Sequence, residues 1–130
     1  MLHLTKVAFG CSSLEDLSQR IEARGDLVRL TTRYRPKRHA EIVGGSLFWI
    51  LKHKLVGRSE IIGFDEAEGG KTDIVIKARV IATIALPKRA HQGWRYLEPA
   101  NAPRDLGDGA EGAEELPAAL AGELAAMGLI

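Results

Sequence analysis

A chain of 130 residues, 45% hydrophobic and 27% charged with a formal net charge of +1, has the size and balance of one soluble globular domain. That length buries about two thirds of the surface the unfolded chain exposes, so the core needs neither a metal nor a disulfide. Cys11 is the single cysteine, which excludes an intramolecular disulfide, and no apolar run approaches the ~20 residues that span a bilayer. The expectation is one cytoplasmic domain over residues 1–130, with no membrane contact and no cofactor. Met1–Lys6 also lacks the charged start and apolar run of a secretory signal.

Leu2–Phe9 alternates Leu2 and Leu4 with His3 and Thr5 and stops at Gly10, the pattern of a first strand. Ser12 with Glu15 three residues on reads as a capping box for a helix with Leu14, Leu17 and Ile21 on one face, ended by Gly25. Leu27–Thr32 is a second short strand. The basic, proline-broken segment Thr32–His39 is a loop leading to a helical turn at Ala40–Val43, which Gly44-Gly45 ends. Ser46–Lys52 is apolar on both faces and suits a central strand. Leu55–Phe64 is the next strand, and Gly57 within it marks a bulge or a close backbone approach.

Asp65–Thr72 is an exposed acidic turn. Asp73–Leu86 then carries an apolar residue at every even position from Ile74 to Leu86, which predicts one strand of fourteen residues, bent or passing a barrel corner, and ended by Pro87. Lys88–Asp108 reads as irregular, since Pro99 and Pro103 forbid a long helix. Residues 107–115 read as a flexible linker, and Leu116–Leu129 as a helix with Leu116, Leu120, Leu124 and Met127 on one face. The fold class is α+β: a single domain with a mostly antiparallel curved sheet or small barrel, an N-terminal helix and a C-terminal helix.

The near-neutral total conceals a split. Residues 20–59 sum to +7 and residues 98–130 to −6. Either the two segments neutralise each other in the fold, or a basic surface remains that attracts phosphate-bearing partners.

The strings Gly44-Gly45-Ser46-Leu47-Phe48-Trp49-Ile50-Leu51-Lys52 and Gln92-Gly93-Trp94-Arg95-Tyr96-Leu97-Glu98-Pro99 stand out, together with Tyr34–Arg38, Asn101–Leu106 and the Leu/Ala-rich end. They resemble a family of small bacterial proteins known only as a domain of unknown function, number fourteen-eighty-nine. The resemblance covers nearly the whole chain and implies no established activity. A looser likeness in element order is to the pseudouridine-synthase-and-archaeosine-transglycosylase-like barrels, many of which bind RNA or modified bases. It implies nucleic-acid binding by analogy of fold alone.

The strongest candidate site is Lys88–Tyr96, where three cations and His91 surround Trp94 and Tyr96. Cations of this kind meet phosphate while an aromatic face stacks on a base. Arg35, Lys37 and Arg38 extend the set, so the candidate ligand-binding residues are Arg35, Lys37, Arg38, His91, Trp94 and Arg95, with RNA or another phosphate-bearing ligand as partner. The alternative makes Trp94 and Tyr96 core anchors and the cations solubilising residues.

A second reading is a small enzyme for an anionic substrate in a cleft near Arg35, His39, His91 and Arg95, with no catalytic residue identified. A third is an interaction or dimerisation module that buries Trp94. Cys11 precedes a helix, where it is either an activated nucleophile or a small buried residue. His3, His39, His53 and His91 lack paired-ligand spacing, so no metal is expected. Gly69-Gly70-Lys71-Thr72 is no phosphate loop: Asp65 stands where its leading glycine belongs, and the stretch lies between strands.

Overall fold

A computed structural model describes residues 1–106; the expected linker at 107–115 and helix at 116–129 lie outside the described residues. The elements in chain order are β1 (His3–Val7), α1 (Leu14–Glu22), β2 (Leu27–Thr32), α2 (His39–Ile42), β3 (Ser46–Leu51), β4 (Lys54–Glu66), β5 (Thr72–Lys77), β6 (Ile81–Pro87) and β7 (Trp94–Leu97). The strand order is β2-β5-β4-β3-β1-β7, with β6 also paired to β4. Only β1 and β3 run parallel, so the sheet is mostly antiparallel. It is open: among the described residues β2 and β7 share no backbone ladder, and the barrel alternative is not formed.

Local chemistry accounts for the elements. Ser13, in extended conformation, caps α1 by accepting a 3.0 Å bond from the Asp16 amide, while Asp16 Oδ2 accepts from the Ser12 amide at 3.0 Å. The capping pair therefore sits one residue later than Ser12 and Glu15, because it is the Asp16 carboxylate that reaches back to the free amide. Leu17 and Ile21 are the buried side chains of α1. All six residues of β3 are buried, as a strand covered on both faces requires.

The two faces carry separate cores. Leu4, Leu47, Trp49, Ile61, Ile74 and Ile76 belong to the larger one, beneath α1 and α2. Phe48, Ile50, Leu55 and Leu97 form the smaller one, with Val7 and Ala102 against it. The segment after β7 crosses this second face and is held by Arg58, whose guanidinium gives two bonds to Asp105 (2.6 and 2.7 Å) and one to Ser46 (2.8 Å).

The expected fourteen-residue strand is broken into β5 and β6. The Ala78 amide makes the last bond in the β2–β5 register, to Asp26 O at 3.0 Å, and the chain then turns, the Arg79 amide bonding back to Lys77 O at 2.8 Å. Both halves still lie antiparallel along the long β4, with register shifts beside the break. A slip of one residue exchanges the faces of a strand. Before the break Ile74 and Ile76 are fully buried; after it Thr83 is buried and Leu86 is exposed.

The region expected to be irregular contains β7, which pairs antiparallel with β1. Pro99 and Pro103 follow β7, so they restrict a helix without disturbing a strand of four residues. Gly57 fulfils both expectations made of it: the β3–β4 register shifts beside it, and a Cβ there would lie 2.8 Å from Val80 Cγ1 and 3.1 Å from Leu14 Cδ1.

Gly57→Ala should therefore lower stability by about 1–3 kcal/mol through overpacking. Adding Val80→Ala should restore part of the loss in urea unfolding. A Gly57→Ala midpoint equal to wild type contradicts this packing.

Candidate functional site

β7 is the strand from which the candidate residues are deployed. Its register sets Arg95 opposite Thr5 and Trp94 opposite Lys6. Paired residues share a face and consecutive residues alternate, so Arg95 projects on the Thr5 face while Trp94 and Tyr96 project on the Lys6 face. Trp94 and Arg95 thus stand on opposite sides of one edge strand and do not form a single flat surface.

On the first of these faces, His91 Nε2 lies 2.7 Å from the hydroxyl of fully buried Thr5, and its Nδ1 lies 3.2 Å from Gln92 O. A carbonyl can only accept, so Nδ1 carries the proton; in the neutral ring Nε2 then accepts from Thr5. The His91 pKa is lowered, chiefly by burial. The Gln92 carbonyl opposes the shift, and the positive charges of Arg95, Lys88 and Lys6 add to it. His91 is the centre of a cationic cluster.

On the other face the aromatic pair joins the far end of the strand order. The Trp94 indole N–H donates to Tyr34 O at 3.3 Å, two residues beyond the end of β2. Trp94 and Tyr96 meet edge to face at 5.1 Å, and both are half-buried against the larger core. The Arg38 amide donates to the Tyr96 hydroxyl at 3.2 Å, and the Arg38 guanidinium lies 5.7 Å from the Tyr96 ring centre. The aromatics therefore act as anchors that draw the 33–38 loop onto β7.

The cations do not all remain available. Arg38 gives two bonds to Glu41, at 2.9 and 2.7 Å, and approaches Glu98 at 3.5 Å; these carboxylates hold its pKa above the usual guanidinium value. Arg35 lines a pocket of about 360 Å³ with Asp65 and Glu66, a lining that does not include Trp94. Lys37 is exposed. The fold thus gathers His91, Trp94, Arg95 and Arg38 around β7, with Arg35 set apart.

Two further cations, Lys52 and Lys54, join from elsewhere. The β3–β4 hairpin turns through Lys52 and His53, both with positive φ (53° and 63°), and the Lys88 amide donates to His53 O at 2.9 Å. Lys52, Lys54 and Lys88 therefore stand at the same end of the sheet as the cluster. No carboxylate occurs in residues 42–59 or 74–97, the stretches that build this end.

Residues 4–130 match the family described as "Protein of unknown function (DUF1489)". The chain belongs to that family. No curated protein and no solved structure matches it.

In this DUF1489 member the other site readings fare differently. The enzyme reading needed His39 and His91 at a common pocket. His39 instead packs edge-on against Phe64 at 6.2 Å and His91 against Thr5, and neither lines the two main surface pockets. Burial, countered by Arg20, raises the Cys11 pKa, so the thiol stays protonated and is no activated nucleophile. No group of three or more His, Cys, Asp or Glu is clustered among the described residues. No helix among the described residues is long and apolar enough to cross a membrane.

The lowered His91 pKa sets a pH dependence. As pH falls, the unfolded chain takes up the proton first, so the stability held by the neutral ring is complete above the ordinary histidine value of 6.5 and is lost as pH drops through the folded value. His3, lowered by burial, the N-terminal amine and Arg58, acts in the same sense. Thermal midpoints should fall between about pH 7.5 and about pH 5.5, and fall less in His91→Gln. The lowered carboxylates Asp16, Glu41 and Asp105 titrate below that window. Identical slopes for wild type and variant would rule out the assigned neutral ring.

Proposed function

We propose that the protein binds a phosphate-bearing ligand, a single-stranded nucleic acid and RNA in particular, at the basic end of the sheet around β7, in a cytoplasmic setting. The observation that carries this reading is the pair Lys88 and Arg95 beside His91, neither of which has a carboxylate partner among the described residues. By contrast Arg20, Arg29, Arg38, Arg58 and Lys77 are each ion-paired. Unpaired cations held close together repel one another, and a phosphate chain relieves that repulsion while releasing its own counterions.

A strand crossing the edge of β7 would meet Lys88 and Arg95 on one side and Trp94 with Tyr34 on the other. Tyr34 is 70% exposed, so its ring offers a stacking face beside the half-buried indole. Lys37 and Arg35 extend the field more weakly, and Arg38 serves to fix the loop. The Lys52-His53 turn supports the same reading. Asn-Gly is the usual solution for two consecutive positive φ values, and a lysine and a histidine there cost stability.

Binding of a single-stranded RNA to the full chain should weaken steeply with salt. Lys88→Ala with Arg95→Ala should reduce the slope of log K against log salt by about 1.4, from roughly 0.7 per phosphate contact. Tyr34→Ala, whose backbone carbonyl still serves Trp94, should weaken binding by about 1–3 kcal/mol. Lys52→Asn with His53→Gly should raise stability by about 1–3 kcal/mol as the strained turn relaxes, while weakening binding. No binding at low salt across a varied oligonucleotide panel overturns the reading.

A further inference from the structure

A second concave site lies on the opposite side of β1 from His91. A pocket of about 230 Å³ opens between β1, β3, β2 and α1. Its floor is apolar, made by Ala8, Leu17, Ile21, Leu30 and Trp49. Lys6, Arg20 and Arg24 are its charged lining residues, and no carboxylate is among them. The pocket stands at the carboxyl ends of the parallel pair β1 and β3, against Leu17, Arg20 and Ile21 of α1; the carboxyl ends of parallel strands are where open sheets commonly hold ligands.

The three cations differ in what they already hold. Arg20 pairs with Asp16 at 3.1 Å, and Arg24 donates to Arg29 O at 3.4 Å. Lys6 has no carboxylate partner among the described residues, and it falls in the inward register of β1 with Leu2, Leu4 and Ala8. An ammonium drawn out of water beside an apolar floor is costly to hold, and burial lowers its pKa. We propose that this pocket binds a small organic anion, whose apolar body covers the floor and whose anionic head pairs with Lys6.

Charge and shape together define the occupant. A neutral apolar molecule would leave the ammonium uncompensated, and an inorganic anion would leave the floor wet. The volume is below that of typical drug-sized sites of roughly 300–1,000 Å³, so a single ring or a short branched chain fits better than a nucleotide. Phe9 follows β1, lines the pocket and is 70% exposed, which offers an apolar lip for the ligand body. The proposal does not depend on nucleic-acid binding, which uses Lys88 and Arg95 on the other face.

The test is a titration of the full chain, followed by backbone and indole NMR signals, with four probes: benzoate, phenyl phosphate, benzyl alcohol and inorganic phosphate. At least one of the two aromatic anions should bind about tenfold or more tightly than benzyl alcohol and inorganic phosphate. Signals of Ala8, Cys11, Leu17 and the Trp49 indole should move. The preferred head, carboxylate or phosphate, identifies the source of the negative charge. Lys6→Met should abolish the preference for the anion and leave benzyl alcohol unaffected. In wild type the bound anion should slow alkylation of Cys11 by iodoacetamide, a readout that stands even if the variant does not fold. Benzyl alcohol binding as tightly as both anions, or no movement of these signals with either anion, overturns the proposal.

Discussion

Four residues of β7 laid antiparallel on β1 determine where the chemistry of this protein stands. The pairs Thr5–Arg95 and Lys6–Trp94 send alternate side chains to the two faces of the sheet. One face receives Arg95 and the His91–Thr5 contact; the other receives the aromatic pair and, across the strand, the mouth of the apolar pocket. The Trp94–Tyr34 hydrogen bond then ties this edge to the loop that follows β2, the opposite end of the strand order. Loss of the β7 register would separate Arg95, the His91–Thr5 contact and the aromatic pair together, since β7 pairs with β1 alone among the described strands.

The charge split along the chain is only partly undone in three dimensions. Arg58 and Arg38 of the basic segment meet Asp105 and Glu98 of the acidic one, and Arg29 meets Asp65 of β4 and Asp73 of β5. Most exposed pairs of this kind contribute little to stability; their consequence here is to remove those arginines from the list of available cations. Lys52, Lys54, Lys88 and Arg95 remain without a carboxylate partner among the described residues at the end of the sheet near His91, and residues 42–59 and 74–97, from which they come, contain no acid. The basic character of the protein thus extends from the 33–38 loop, where Arg38 is the ion-paired cation among the described residues, to the end of the sheet around His91.

Much of the framework was legible in the residues. Leu27–Thr32, the apolar block at Ser46, the acidic turn and the constraint at Gly57 follow from periodicity and composition. The break at residues 78–80 was not legible, because the even-numbered apolar run continues through it. Only the turn at Arg79, whose amide bonds back to Lys77 O, shows where the strand is interrupted. β7 escaped because four residues carry too little periodicity to register. Lys6 did leave a signal: it falls on the same parity as Leu2, Leu4 and Ala8, so a cation was written into the inward face of β1. The pairing of Arg38 with Glu41 was also open to reading from their spacing in a helical turn. The placing of Arg35 beside Asp65 and Glu66 depends on the path of the loop and had no local signature.

The central claim is that β7 assembles one basic, aromatic-flanked edge from segments far apart in the chain, and that an anionic strand binds there. Backbone NMR mapping of a single-stranded RNA added at low salt to the full chain tests it most directly. Signals from Lys52–Lys54, from Lys88–Arg95 and from Tyr34–Lys37 should move together along one saturation curve. Movement confined to the 33–38 loop, or separate curves for the segments, would contradict the account.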